Sequence, residues 1–159
     1  MTTNLTELRA GGVQDLSAVN AIMQEAFDPR YGEAWTKSQC MGMLSLPGVW
    51  LTIAEVDGKD VGFALARHTV IEAELLLLAT SPRARLRGVG GALLRAVIAE
   101  AIDLGVQQLH LEVRAGNEAI RLYTREGFTK VGERRNYYRG KAGQLYDANT
   151  FARNLSESL

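Results

Sequence analysis

A glycine-rich turn from Arg85 to Gly91 separates a continuously apolar run from a long amphipathic helix. The run, Glu74 to Ala79, does not alternate between apolar and polar residues, which predicts a central strand covered on both faces. Beyond the turn an apolar stripe recurs at helical spacing and stops at Gly105, a residue suited to a C-terminal cap. The stripe comprises Leu93, Leu94, Val97, Ile98, Ala101 and Ile102. The middle of the chain is therefore predicted to form a strand, a turn and a helix.

This turn has the features of an anion site. Unpaired N–H groups at a helix N-terminus point outward, and the helix dipole adds partial positive charge. Gly88 and Gly90 lack a Cβ and allow a phosphate to approach the backbone, while Arg85 and Arg87 add positive charge. A pyrophosphate would fit there, although a turn that is rich in glycine for packing alone has the same pattern. The turn lacks the Gly-Lys-Ser/Thr ending of a P-loop. A dinucleotide fold requires its glycine turn in the first strand-helix unit of the chain, and this turn is not in that unit.

The remaining elements follow from periodicity and turn residues. Asp57-Gly58 supplies the positive-φ residues of a tight hairpin between two strand-like runs. A loop rich in turn formers, Asp28 to Trp35, separates two helical segments. In chain order we predict a strand at 5–9, helices at 15–27 and 37–44, strands at 50–56, 61–68 and 74–79, a helix ending near 102, a strand at 107–114, a helix at 117–126, and strands at 128–138 and 145–153.

Composition limits the possible functions. The chain has 159 residues, 47% of them apolar and 23% charged, which fits one compact domain over residues 1–159. Lys plus Arg equals Asp plus Glu at 18 each, so no bulk positive charge is available for nucleic acid or an anionic membrane. Cys40 is the only cysteine, which excludes an internal disulfide and a cysteine-based zinc site. Neither a signal-peptide core nor a run of about 18 apolar residues occurs, so a cytoplasmic protein is expected.

Glu112 lies in a segment that alternates strictly. Leu111 and Val113 fall on one face of the predicted strand, and Glu112 falls on the other with His110 and Arg114. From the alternation alone, a solvated or ion-paired carboxylate on a sheet face is the simpler interpretation. His110 is interpreted as a packed or hydrogen-bonded residue, because a lone histidine in a strand seldom has a catalytic role.

Several motifs resemble one enzyme superfamily. Arg85-x-x-Gly88-x-Gly90 is similar to the Gln/Arg-x-x-Gly-x-Gly/Ala signature of the Gcn5-related N-acetyltransferase (GNAT) superfamily. Three further segments resemble the bacterial ribosomal-protein alanine N-acetyltransferases (RimI-like): Leu111-Glu-Val-Arg-Ala-Gly-Asn117, Leu122-Tyr-x-x-x-Gly127-Phe128 and Arg134-Arg-Asn-Tyr-Tyr138. The similarity covers roughly residues 70–150. It implies an α/β fold with a central mixed, mostly antiparallel sheet of about seven strands, flanked by about four helices and splayed between strands 4 and 5.

The resemblance also implies a reaction and a coenzyme. An acetyl group would pass from acetyl-coenzyme A to a primary amine, here the α-amine of a protein N-terminus such as a ribosomal protein that begins with Ala. The diphosphate would rest on the turn amides, and the pantetheine arm would pair with a free strand edge; no metal is implied. The coenzyme-binding residues implied in this way are Leu78, Ala79, Thr80, Arg85, Leu86, Arg87, Gly88, Val89, Gly90, Gly91 and Asn117.

By the same resemblance, Glu112 would take the proton from the acceptor ammonium, and Tyr123 would protonate the departing thiolate. A phenol holds its proton at neutral pH and can give it to a thiolate. A tyrosine buried against the sheet would have the same sequence pattern. The N–H of Leu78 or Ala79 would stabilise the oxyanion. The spacing from Asn117 to Tyr123 is one residue shorter than is usual in the family, so the helix start is expected to shift.

Four aromatic residues are predicted to flank the acceptor entrance: Tyr31, Trp35, Tyr137 and Tyr138. Such side chains can grip a peptide backbone, and ordinary packing is the alternative for each. Two other functions stay open, namely acetylation of a small amine (amino acid, polyamine or antibiotic) and non-catalytic coenzyme binding. A cavity closed by the Tyr31 loop would favour small amines, whereas an open groove ending at Glu112 would favour peptides.

Overall fold

A computed structural model describes residues 5–85 and 88–156. Its strands are β1 (Thr6–Gly11), β2 (Val49–Val56), β3 (Lys59–His68), β4 (Glu72–Thr80), β5 (Gln108–Arg114), β6 (Thr129–Arg139) and β7 (Leu145–Asn154). Its helices are α1 (Leu16–Ala26), α2 (Lys37–Leu44), α3 (Val89–Asp103) and α4 (Ala119–Arg125). The predicted order of strands and helices is confirmed, with small differences at the ends of elements.

The strands form one sheet of seven in the order β1-β2-β3-β4-β5-β7-β6. Neighbouring strands are antiparallel except for β4 and β5, which run parallel. The predicted mixed, mostly antiparallel sheet is therefore confirmed. Between β2 and β3, Asp57 and Gly58 have φ values of 53° and 74°. Two successive positive φ values match the twist of a two-residue hairpin, as the Asp-Gly pair predicted.

Helices pack on both faces of the sheet and enclose two apolar clusters. One cluster joins the sheet to α3 and α4 and includes Leu94 and Leu111, and the other joins it to α1 and α2 and includes Met23. The strand β4 contributes Leu75 to the first cluster and Leu77 to the second, which confirms that it is covered on both faces. The predicted stripe on α3 is buried except at Ile102, which is 45% exposed because it lies at the end of the helix.

The strands β4 and β5 part halfway along their length. Their paired residues run only from Glu72 with Gln108 to Leu75 with Leu111. On the other side of β4, Leu65 pairs with Leu77 and Ala66 pairs with Leu75, so Leu76 is an extra residue in β4. Such a bulge bends its strand. Beyond this point β4 stays with β3 and β5 stays with β7, which leaves a cleft between them.

Within the described residues, none of the helices combines the length and apolar character needed to cross a bilayer.

Candidate active site

A cleft of about 960 Å³ opens where β4 and β5 diverge. All the predicted site residues that the structure describes line this one cleft. They are Tyr31, Trp35, Leu78, Ala79, Thr80, Arg85, Gly88, Val89, Gly90, Gly91, Glu112, Asn117, Tyr123, Tyr137 and Tyr138. Leu86 and Arg87, which were predicted to bind the diphosphate, lie outside the described residues. Residues from distant parts of the chain thus meet in one place, and their roles stay predictions.

One end of the cleft is formed by the glycine turn and the start of α3. Gly88 has a φ of 76°, a left-handed conformation that glycine adopts without strain. Ala92 N–H donates to Gly88 O at 2.9 Å, so the N–H groups of Val89 to Gly91 belong to the first turn, which has no intrahelical acceptors. A Cβ on Gly90 would lie 3.4 Å from a Leu122 methyl group. The backbone here offers donors without side-chain obstruction, which fits a diphosphate.

Arg85 is partly engaged at this end of the cleft. Its Nη2 donates to Ala26 O at 2.8 Å, which links the glycine turn to the last turn of α1. The guanidinium has further donors for a phosphate, because arginine carries five N–H groups.

The free edge of β4 forms one wall of the cleft. Ser81 N–H donates to Val61 O on β3 at 2.7 Å. Alternate residues of a strand direct their N–H groups to the same side. The Ala79 N–H therefore also points to β3, whereas the N–H groups of Leu78 and Thr80 point to the open edge. Glu74 and Thr80 both line the cleft, and the six steps between them span about 20 Å. An extended arm could lie along this edge, and Leu78 is better oriented than Ala79 to donate into the cleft.

Glu112 faces the cleft, as its alternation predicted, and both of its carboxylate oxygens have partners. Thr150 Oγ1 donates to Oε2 at 2.7 Å, and Arg134 Nε lies 3.0 Å from Oε1. The Glu112 side chain is 7% exposed, whereas that of Arg134 is 61% exposed. Tyr138 Oη also donates to the Glu112 carbonyl at 3.3 Å. The ion pair that was the simpler interpretation is therefore present, and its arginine is the more exposed partner.

Tyr123 lies on α4 and is 6% exposed. Its ring meets Phe128 edge-on with centroids 6.0 Å apart, so the buried packing predicted as the alternative is also present. Burial raises the pKa of the Tyr123 phenol well above its usual value, and the charge of Glu33 raises it further. The phenol therefore keeps its proton at neutral pH, as a general acid must.

Asn117 lies just before α4 and contacts the loop before α2. Its Oδ1 accepts from Ala119 N–H at 2.8 Å, and its Nδ2 donates to Glu33 Oε2 at 2.7 Å. The regular helix begins at Ala119, two residues later than predicted, whereas the shorter spacing was expected to shift its start by about one residue. Both ends of the Asn117 amide are therefore occupied by protein groups, although the residue lines the cleft.

Sequence reasoning did not identify Glu33 or Arg114 as residues of the site. Arg114 Nε binds Glu33 Oε1 at 3.3 Å, and its guanidinium lies 3.7 Å from the centre of the Tyr31 ring. The alternation of β5 placed Arg114 on the same face as Glu112 and could have indicated it. Glu33 lies in an aperiodic loop, where no sequence pattern marks it.

The aromatic residues lie where the loop meets the last hairpin. Tyr31 packs against Tyr146 with ring centroids 5.1 Å apart, and Tyr137 meets Tyr138 at 4.9 Å. Trp35 N–H donates to the sulfur of Met23 at 3.3 Å, which fixes the end of the loop on α1.

The loop also touches the hairpin between β6 and β7 through its backbone. Lys141 N–H donates to Pro29 O at 3.1 Å. Gly32 and Gly140 allow this approach, since a Cβ on either would collide with a carbonyl of the other segment, that of Arg139 or Arg30. The loop and the hairpin together bridge one side of the cleft.

Comparison with known proteins agrees with this geometry. Residues 47–130, just over half of the chain, match the family model described as Acetyltransferase (GNAT) domain. The ribosomal protein bS18-alanine N-acetyltransferase of Escherichia coli strain K12 is 43% identical over 83 residues, which cover 52% of this chain and 56% of that protein. The chain thus spans about half the length of this relative. The Haemophilus ducreyi protein of the same name is 32% identical over 105 residues, covering 65% of this chain and 72% of that one.

The fold agrees over nearly the whole chain with a crystal structure of the ribosomal-protein-S18-alanine N-acetyltransferase from Escherichia coli. The TM-score is 0.84 at 31% identity, with 95% of this chain and 94% of the other covered. With its parted parallel strands and glycine turn, this chain belongs to the GNAT acetyltransferase family and is similar to its RimI-type members.

Proposed function

We propose that this protein transfers an acetyl group from acetyl-coenzyme A to the α-amine of a protein N-terminus. Its relatives are named as alanine N-acetyltransferases of a ribosomal protein, which is a reaction of this kind. The observation that carries the proposal is the cleft between β4 and β5, with helix N–H groups that have no intrahelical acceptor at one end and Glu112 facing it from β5. A ribosomal-protein acceptor sets the reaction in the cytoplasm. The proposal covers residues 1–159 as one acetyltransferase domain.

In this proposal the coenzyme lies along the open edge of β4. The diphosphate binds the N–H groups of Gly88 to Gly91, with Arg85 beside them. The pantetheine arm runs beside Leu78 to Thr80, and this edge is free to pair because β5 has turned away. The thioester then lies on the side of the cleft where Glu112 and Tyr123 are found.

The chemistry is direct attack in one ternary complex. Glu112 takes a proton from the acceptor ammonium, directly or through a water, and the neutral amine attacks the thioester carbonyl carbon. The Leu78 N–H donates to the developing oxyanion. The carbon–sulfur bond then breaks, and the thiolate takes the phenolic proton of Tyr123. The nitrogen loses its second proton to the Tyr123 phenolate through water, and Glu112 releases the first proton to solvent. The products are the acetylated amine and free coenzyme A.

For Glu112 to act as a base, one of its oxygens must become available. The pair with Arg134 is the more easily opened, because that side chain is largely exposed, whereas Thr150 lies on the neighbouring strand and holds the other oxygen. An acceptor that displaces Arg134 would therefore reach a carboxylate that stays oriented by Thr150.

One observation favours a second candidate, acetylation of a small amine. The contacts between Pro29 and Lys141, and between Gly32 and Arg139, join the Tyr31 loop to the hairpin and close one side of the cleft.

Glu74 and the 46%-exposed Tyr137 also line the cleft, on the side away from the glycine turn. A peptide could enter past these two residues.

Mass spectrometry of acceptors incubated with the protein and acetyl-coenzyme A tests these candidates. The panel holds peptides with a free N-terminal Ala, the same peptides with a blocked N-terminus and an internal Lys, and small amines. Acetylation of the free N-terminus supports the proposal. Acetylation of small amines alone supports the second candidate, and coenzyme binding without thiol release from any acceptor indicates a non-catalytic module.

A further inference from the structure

We propose that Glu33 is a positioning residue for acceptor binding. Its carboxylate holds the acceptor loop, residues 28–36, against the turn between β5 and α4 by binding Arg114 and Asn117 at the same time. This inference rests on the proposed function, because it assigns the loop to the acceptor side of the same cleft.

The contacts of Glu33 are few and specific. Arg114 Nε lies 3.3 Å from Oε1, and Asn117 Nδ2 donates to Oε2 at 2.7 Å. These partners are 81 and 84 residues away along the chain. The side chains of Glu33 and Arg114 are only 10% and 14% exposed. Charge-assisted contacts with so little access to water are screened less than surface pairs, so each oxygen is strongly held.

The loop has a second attachment, which makes the role of Glu33 distinct. Backbone contacts join Pro29 to Lys141 of the hairpin, and Tyr31 packs against Tyr146. Glu33 instead attaches the loop to the turn that precedes α4. The Arg114 guanidinium also stacks on Tyr31, so the ion pair and the aromatic ring fix each other.

The attachment reaches the predicted general acid. Asn117 divides its amide between Glu33 and the N–H of Ala119, the first residue of α4. Tyr123 follows one helical turn later on the same short helix. After burial, the charge of Glu33 is the next cause that raises the pKa of both Tyr123 and Tyr138, which agrees with its central place in the cleft. Loop and helix are therefore held in one arrangement.

Loss of this contact should act on the acceptor more than on the coenzyme. The loop contributes Tyr31 and Trp35 to the cleft lining, whereas among the described residues the glycine turn and the edge of β4 have no hydrogen bond or ion pair with Glu33. A loosened loop would leave the coenzyme site intact and the acceptor site disordered.

The test compares Glu33→Ala and Glu33→Gln with the wild type, using Glu133→Ala as a control that removes an exposed ion pair with Lys130. Glu33→Ala should raise the KM for an N-terminal Ala peptide by about tenfold or more, because two contacts and a charge are lost. Glu33→Gln keeps one acceptor oxygen and should lie between Glu33→Ala and the wild type. The Kd for coenzyme A should change less than about twofold, as should both constants in Glu133→Ala.

An unchanged acceptor KM, or a fall in kcat at constant KM, would overturn the proposal. If Glu33→Ala does not fold, as a thermal melt would show, Glu33→Gln decides, because it keeps the size of the side chain.

Hydrogen–deuterium exchange of the whole chain separates this proposal from the proposed function. The amides of residues 28–36 should exchange faster in Glu33→Ala than in the wild type or Glu133→Ala, whether or not any amine is acetylated. Unchanged exchange rates would remove Glu33 as the attachment and leave the acetyltransferase proposal standing. Faster exchange in a protein that acetylates no amine would reject the function and keep the attachment.

Discussion

At the scale of single residues, the Glu112 carboxylate is anchored by two contacts that differ in their exposure to solvent. A buried carboxylate is costly unless it is paired and hydrogen-bonded, and here Thr150 and Arg134 supply those contacts. Because Thr150 is half-buried on the neighbouring strand and Arg134 is exposed, the carboxylate can lose Arg134 without losing its orientation. This asymmetry makes it a better base candidate than a carboxylate locked on both sides.

Glu112→Gln tests that assignment. The amide keeps the shape of the side chain and a hydrogen bond with Thr150, but it no longer accepts a proton from an ammonium. We expect kcat to fall by about 10² to 10⁴, with little change in coenzyme affinity. Steady-state kinetics across pH and calorimetry with coenzyme A measure the two effects. Glu100→Gln, an exposed site on α3, is the control, and a wild-type rate for Glu112→Gln would remove Glu112 from the mechanism.

Sequence reasoning found Glu112, which lies in a periodic segment, and missed Glu33, which lies in an aperiodic loop. The alternation of β5 placed Glu112 on the cleft face correctly, because Leu111 and Val113 are buried on the other. Glu33 has no such frame, and its partners are more than 80 residues away. The pairing of Arg134 with Glu112 depends on the position of β6 at the sheet edge, which no local pattern contains.

At the scale of secondary structure elements, β4 determines where the cleft opens. Its apolar run correctly predicted a strand covered on both faces, yet the run Leu75 to Leu78 consists of identical residues. An extra residue among identical neighbours leaves no trace in the pattern, so the bulge at Leu76 could not be foreseen from it. The parting of the strands was expected from the family resemblance, and the register explains it physically.

The start of α3 can be tested against a matched glycine at its end. Gly88 and Gly105 have φ values of 76° and 81°, and a Cβ on either would meet no described atom within 4 Å. Tryptophan at either position should cost about 1–2 kcal/mol of stability through left-handed strain. Only Gly88→Trp should weaken coenzyme binding, because only Gly88 lines the cleft. Chemical denaturation and calorimetry provide the two readouts; equal coenzyme affinity in both variants would contradict the diphosphate site.

At the scale of the whole molecule, two tyrosines that line the cleft also take part in the packing of the protein. Tyr123 belongs to the cluster beneath α3 and α4, and the Tyr138 hydroxyl donates to the Glu112 carbonyl. Burial raises the pKa of both phenols, with Glu33 adding to each. The protonation of these side chains therefore links the site to global stability.

Stability should fall in alkaline solution. The unfolded chain releases phenolic protons near pH 10, while Tyr123 and Tyr138 keep theirs in the folded protein until higher pH. Their contribution is therefore complete below about pH 10 and is lost as pH rises toward the raised folded values. Urea midpoints from pH 8 to 11 should show this fall, and it should be shallower in Tyr123→Phe and Tyr138→Phe. An equally steep fall in both variants would show that other groups cause it.

A crystal structure of the full chain with coenzyme A gives the most direct test of the cleft as an acetyl-transfer site. We predict the diphosphate within about 3 Å of the N–H groups between Gly88 and Gly91, and the pantetheine arm beside Leu78 to Thr80 with its sulfur toward Tyr123. Coenzyme bound elsewhere, or a cleft that stays empty at saturating coenzyme, would contradict the account.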